Sequence, residues 1–119
     1  MFINAHTHAQ LYDAKVEIVN LEIDAHDKPN YYSYGLHPRH LEKSTCYEQF
    51  ETMQRVVYEK RCIAIGECGL DKLSDVNFEL QTEIFIAQIK LANQVKKPLI
   101  IHCVKAFNEL INCLNLNDN

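Results

Sequence analysis

An α/β fold with a parallel sheet is predicted by two features of the sequence. Four short, nearly continuous apolar runs recur along the chain, and stretches with helical spacing of apolar residues fall between the later ones. Short strands without polar alternation suit a parallel sheet covered on both faces. From the second run to the fourth the spacing is roughly 30 residues with a helix in each gap, the signature of the βαβ unit. A third observation concerns chemistry: three of the runs end in histidine or glutamate.

The first strand is expected over Phe2 to Ala5, leading into His6-Thr7-His8. Residues 15–30 are less regular. Val16, Ile18 and Val19 can form a short strand, and the polar stretch to Asn30 reads as a loop. Tyr31 to Leu36 is the second main run, stopped at Gly35-Leu36-His37-Pro38. A helix is expected over residues 46–60, where Phe50, Met53, Val56 and Val57 share a face behind the N-cap candidates Ser44 and Thr45. Cys62 to Ile65 is the third run, closed by Gly66. A long helix is expected over residues 75–96, with the stripe Leu80, Ile84, Ala87, Leu91 and Val95. Lys96-Lys97 suit its C-terminal end and Pro98 forbids its continuation. Leu99 to Ile101 is the fourth run, followed by His102 and a shorter helix through Ala106, Phe107, Leu110, Ile111 and Leu114; the tail from Asn115 to Asn119 is expected to fray.

The 119 residues suit one domain, expected over residues 1–119, and 47% hydrophobic with 24% charged residues is ordinary for a globular protein. No apolar run approaches the roughly 20 residues that cross a bilayer, so no membrane partner is expected. The N-terminus shows no secretory signal pattern, which makes a cytoplasmic location the expectation. Cys46, Cys62, Cys68, Cys103 and Cys113 are odd in number and scattered, and read as buried small side chains in a reducing compartment. A net charge of −4 argues against a broad basic nucleic-acid surface. A phosphate-bearing substrate would have to be held locally, most economically by bound metal ions.

Side chains two apart on a strand share a face, so His6 and His8 aim at one spot. The same parity joins Ile63, Ile65 and Glu67 on the third strand, and Ile100 and His102 on the fourth. With Ile63, Ile65 and Ile100 filling an interior, Glu67, His102 and the His pair form a polar layer at the C-terminal strand ends, where α/β barrels and open α/β sheets carry their chemistry. Each residue taken singly also has a structural reading, as a satisfied core histidine or a capping carboxylate. His37 either lines the same pocket or serves the turn before Pro38. His26 and His40 read as surface residues. Asp71 can orient a ligand or cap the next helix, with capping preferred.

Five segments together resemble the TatD family of metal-dependent hydrolases. They are His6-Thr7-His8, Tyr34-Gly35-Leu36-His37-Pro38, Ala64-Ile65-Gly66-Glu67-Cys68-Gly69-Leu70-Asp71, the stretch from Gln81 to Gln88, and Lys97-Pro98-Leu99-Ile100-Ile101-His102-Cys103. The resemblance covers nearly the whole chain outside residues 15–30 and the tail. It implies the N-terminal half of a TIM (β/α)8 barrel, with about four parallel strands and a break after the fourth strand and helix. It also implies two divalent ions (Zn, Mn, Ni or Mg): His6, His8 and Glu67 on one, Glu67 and His102 on the other, with Glu67 bridging as the catalytic residue and His37 contacting substrate. The implied reaction is two-metal phosphodiester hydrolysis of DNA, in the manner of a 3′-end exonuclease.

Arg39 stands where the family often has a second histidine, and Cys103 where serine is common. The family pattern also continues with a further histidine and an aspartate beyond this sequence, and a typical barrel needs about 250 residues. Two other readings follow. One is a metal hydrolase acting on a non-nucleic-acid substrate, for which Lys97 offers no ligand role. The other is an incomplete, non-catalytic half-barrel that self-associates through open sheet edges.

Overall fold

Residues 30–117 are described throughout by the computed structural model of this chain, and the segments Ile3–Thr7 and Val16–Asn20 in backbone alone. The element order is β1 (Ile3–Thr7), β2 (Val16–Asn20), β3 (Tyr32–Tyr34), α1 (Cys46–Val56), β4 (Cys62–Asp71), α2 (Phe78–Val95), β5 (Leu99–Val104) and α3 (Phe107–Asn117). The strands form one parallel sheet in the order β1-β2-β3-β4-β5. The expected α/β architecture holds, with one more strand than the four main runs. Val16–Asn20, the short stretch read only as an optional strand, pairs with both β1 and β3.

β4 is the second departure. It runs ten residues, to Asp71, where Gly66 was expected to close it. Glycine inside a strand marks a bulge or a close backbone approach, and here both occur. A Cβ on Gly66 would stand 2.3 Å from the Ile100 carbonyl oxygen, and one on Gly69 2.0 Å from that of His102. Only glycine lets β4 lie this close to β5, and both residues have φ near +145° (149° and 144°), which side chains rarely adopt.

β4 also breaks the two-residue alternation twice. The pairing with β3 slips between Tyr32/Cys62 and Ser33/Ala64, and the pairing with β5 slips between Gly66/Ile100 and Cys68/Ile101. Together they correct the parity expectation: the first separates Ile63 from Ile65, and the second separates Ile65 from Glu67. Ile65 does not fill an interior beside Glu67; it is buried with Tyr32, Tyr34, Met53, Ile84 and Leu91 in the layer that joins the sheet to α1 and α2. The second leaves Glu67 as the extra residue of a bulge, the device by which a strand re-aims one side chain.

A second cluster, Cys68, Leu70, Phe85, Ile89, Ala106, Leu110 and Cys113, joins β4 and α2 to α3. Burial pushes the Cys68 thiol up, so it packs as a small hydrophobe. Cys46, Cys62, Cys68 and Cys113 are buried, as expected, whereas Cys103 is exposed.

Helix ends follow the local chemistry. Thr45 occupies the N-cap of α1 without a side-chain cap bond, and the Lys97 ammonium donates to the carbonyls of Val57 and Glu59 just past its C-terminus. Lys97 is therefore a structural cap, consistent with its lack of a ligand role. At α2 the N-cap is Asn77, whose side chain accepts from the Leu80 amide at 3.1 Å. Lys96 ends that helix in the left-handed conformation. The tail does not fray where expected: α3 continues to Asn117, whose carbonyl accepts from the Asn93 side chain at 2.8 Å.

Candidate metal centre

The bulge and the ends of β4 and β5 bring Glu67, Asp71 and His102 together, and the turn after β3 adds His37 and Arg39. Leu36 ends the apolar stretch, Pro38 prevents its extension, and a tight turn follows in which the His40 amide donates to the His37 carbonyl at 3.1 Å. His40 is exposed and its ring stacks on His37, with centroids 4.9 Å apart. The His37 and His102 rings lie tilted, 4.4 Å apart.

Asp71 selects which nitrogen of His102 is the donor. Its side chain is fully buried, and its Oδ2 lies 2.8 Å from His102 Nε2. A carboxylate only accepts, so Nε2 carries a proton, and in the neutral ring the lone pair sits on Nδ1. Nδ1 faces Glu67 Oε1 at 3.5 Å. Burial works against the Asp71 charge, yet the bonds from His102 and the Leu73 amide, with the Arg39 guanidinium beside it, hold its carboxyl below the usual carboxylate range. The capping role preferred from the sequence is thus corrected: Asn77 caps α2, and Asp71 orients His102.

His37 is fixed in the opposite sense. The Arg39 backbone amide donates to His37 Nδ1 at 3.1 Å, so the neutral ring carries its proton on Nε2. That nitrogen lies 3.9 Å from Glu67 Oε2, too far for a hydrogen bond. Burial first, then the neighbouring His102, pushes the His37 pKa down to about 4, against the opposing pull of Glu67 and Asp71.

His37, Glu67 and His102 each offer a ligand-type atom within 4.8 Å of the others. The tautomers divide them. Two ligands about 2.1 Å from a cation in tetrahedral geometry stand about 3.4 Å apart. The 3.5 Å between His102 Nδ1 and Glu67 Oε1 fits that span, and Asp71 behind Nε2 completes the carboxylate–histidine arrangement typical of metal sites. His37, with its proton on Nε2, presents a donor to the same space. Of the other expected ligands, His6 belongs to β1 and His8 lies outside the described residues; His26, expected at the surface, lies outside them as well.

Sequence reasoning undervalued Arg39. Its Nε lies 3.2 Å from Asp71 Oδ2, while its side chain stays half exposed. The signal was the spacing: His37 and Arg39 flank a proline that turns both toward the strand ends.

The site also fixes an acid response. His37 binds its proton less readily in the fold than in the unfolded chain, so the unfolded state gains the proton first. Stability is therefore lost as pH falls from about 6.5 toward 4, by on the order of 2 kcal/mol. Asp71, depressed, contributes stability above its unfolded value that is lost only as pH falls through its folded one, at the acid end. Urea midpoints measured at intervals between pH 7.5 and 4.5 are expected to fall, and His37→Asn to flatten the decline. Equal slopes in the two proteins would refute the assignment.

A family model described as TatD related DNase matches residues 4–119. A protein of Pantoea ananatis named 3′-5′ ssDNA/RNA exonuclease TatD is 33% identical over 84 residues, covering 70% of this chain and 32% of that protein. An uncharacterized metal-dependent hydrolase of Escherichia coli, YjjV, is 33% identical over 94 residues, 76% of this chain and 36% of YjjV. The crystal structure of E. coli YjjV, a TatD homologue, superposes with a TM-score of 0.79 at 25% identity, covering 98% of this chain and 56% of that one. The chain thus spans about a third of the length of the curated relatives that it matches.

Proposed function

Because the chain belongs to the TatD-related DNase family, we propose that Glu67 and His102, with His6 of β1 and with His8, contribute the metal-binding face of a hydrolase site acting on nucleic-acid phosphodiesters. The fold is that of the N-terminal half of a TIM barrel. One observation carries the reading: Asp71 holds the proton of His102 on Nε2 and thereby turns Nδ1, with its lone pair, to Glu67 at 3.5 Å. Two bound divalent ions would supply an activated water and neutralise phosphate charge. Three imidazoles beside one carboxylate suit Zn, Mn or Ni, with Mg accessible through additional waters.

Glu67 would be the bridging and catalytic carboxylate in this reading, with Oε1 toward His102 and Oε2 toward His37. Asp71 keeps the His102 lone pair available. His37 donates from Nε2 to an anionic oxygen of the substrate, which needs no charge on the ring. Arg39 keeps part of its guanidinium in solvent at the mouth, where it meets phosphate. DNA is the substrate proposed, and a 3′-terminal nucleotide the point of attack; the exonuclease name of the Pantoea relative supports this.

A second reading rests on the sheet itself. β5 is an edge strand in the described residues, and Ile101, Phe107 and Ile111 near it are exposed. Such an edge favours self-association. Among the described residues no helix is long and apolar enough to cross a membrane. The free cysteines favour a cytoplasmic setting.

The test is hydrolysis of single-stranded DNA, RNA and a neutral amide or lactone panel, with Mn²⁺, Zn²⁺, Ni²⁺ or Mg²⁺ and with chelator, run across size-exclusion fractions. Metal-dependent release of mononucleotides from DNA ends is expected. Cleavage of the amide or lactone panel alone would overturn the nuclease reading. Metal binding without turnover, in an associated species, would favour the non-catalytic half-barrel.

A further inference from the structure

Two buried glutamines of α2, neither assigned a role above, each grip a strand end that carries the site. Gln81 Oε1 accepts from the Asp71 amide at 2.8 Å, and its Nε2 donates to the Asp71 carbonyl at 3.1 Å and to that of Val76 at 3.0 Å. Gln88 Oε1 accepts from the Leu36 amide at 2.8 Å, and its Nε2 donates to the Leu36 carbonyl at 3.3 Å. Each side-chain amide therefore satisfies both backbone groups of one residue, as a neighbouring strand would.

The two positions are seven apart, two helical turns, and so lie on one face of α2 about 10 Å from each other. Both side chains are 1% exposed. One gripped residue is Asp71, which holds the proton of His102. The other is Leu36, next to His37, whose donor faces Glu67. A fold that needed only to bury α2 would place apolar residues at these positions, as it does at Ile84, Phe85 and Ile89. Buried amides each require several partners; beside the Val76 carbonyl for Gln81 and the Ile84 carbonyl of its own helix for Gln88 (3.3 Å), these find theirs on the two segments that shape the site.

We propose that Gln81 and Gln88 are positioning residues: α2 acts as a ruler that sets Asp71–His102 and the His37 turn at their working separation around Glu67. Gln81 acts on the metal-facing nitrogen through Asp71, and Gln88 acts on the donor through Leu36. The proposal rests on the metal-centre reading for its consequence, and on hydrogen bonding alone for its geometry.

The test compares Gln81→Met and Gln88→Met, which keep volume and remove the amide, with Ile89→Ala, a buried change on the same helix that leaves both grips intact. The corresponding Gln→Glu exchanges, which put a carboxylate oxygen in place of the NH₂ donor, replace any Met variant that fails to fold. The first readout is the ring-nitrogen NMR spectrum of His37 and His102 in metal-free protein. Gln81→Met is expected to turn the single Nε2–H form of His102 into a mixture, and Gln88→Met to do so at His37, while Ile89→Ala changes neither at a comparable loss in Tm. The second readout is Mn²⁺ affinity, expected to fall at least tenfold in Gln81→Met and to hold in Ile89→Ala. Glutamine variants that lose stability as Ile89→Ala does, with ring spectra and Mn²⁺ affinity unchanged, would overturn the proposal. Failure of the unaltered chain to bind Mn²⁺ would count against the metal reading alone, because the metal-free spectra still decide the positioning role.

Discussion

Gly69→Ala is expected to destabilise the chain by at least about 4 kcal/mol, enough to leave it substantially unfolded at room temperature. The added Cβ would stand 2.0 Å from the His102 carbonyl oxygen and 3.0 Å from its carbonyl carbon. These are backbone atoms of the paired strand, so no rotamer change relieves the clash. The residue's φ of +144° adds strain for any side chain. Relief requires β5 to separate from β4, which would open the cluster around Cys68, Leu70 and Phe85 and pull His102 from Asp71. Circular dichroism with urea titration checks this. A midpoint within the error of the unaltered chain would show that β4 and β5 do not approach as described.

Glu67→Gln is expected to have the largest effect on the site itself. Glutamine keeps the shape, loses the charge and offers only one weak oxygen ligand. Altering a residue behind a metal ligand typically costs 10–100-fold in affinity, so losing the carboxylate directly should weaken Mn²⁺ binding by at least about a hundredfold. Asp71→Asn gives the internal comparison. Asparagine can turn its NH₂ to Nε2, which moves the ring proton to Nδ1 and removes the lone pair from the site. Its expected loss is about ten- to a hundredfold, smaller than that of Glu67→Gln. Isothermal titration with Mn²⁺, on variants whose circular dichroism matches the unaltered chain, measures both. Equal affinity in Glu67→Gln would remove Glu67 from the centre.

Much of this arrangement was legible in the residues. Helical spacing located the helices, although α1 stops at Val56 and not at residue 60, and α2 begins at Phe78 and not at residue 75; Pro38 and Pro98 stop elements by excluded hydrogen bonds and sterics whatever the context. The convergence of Glu67 and His102 was also legible, since both close apolar runs at the same end of a parallel sheet. The reasoning by parity was right about that pair for an incomplete reason. Alternation fails where a bulge inserts a residue, and nothing in Ile63-Ala64-Ile65 announces the slip that sends Ile65 to the helix-facing layer. Gly66 was misread as a terminator because glycine ends strands more often than it admits a close neighbour. Asp71 was weighted toward capping because an acidic residue ahead of a helix is a strong local signal, whereas its partner His102 lies 31 residues away. Gln81 and Gln88 bound one of the motif segments, but glutamine in a helix carries no local sign of burial. Its hydrogen-bond partners belong to other elements, which only the fold supplies.

The claim that joins these observations is that His102 meets a cation through Nδ1, beside Glu67, while Asp71 keeps the proton on Nε2. Ring-nitrogen NMR of the chain during Zn²⁺ titration tests it most directly. The Nδ1 resonance of His102 is expected to shift to the position of a metal-bound nitrogen as Zn²⁺ is added, with Nε2 remaining protonated and the change absent in Glu67→Gln. An Nδ1 resonance of His102 that stays in place while Zn²⁺ saturates the protein would contradict the account.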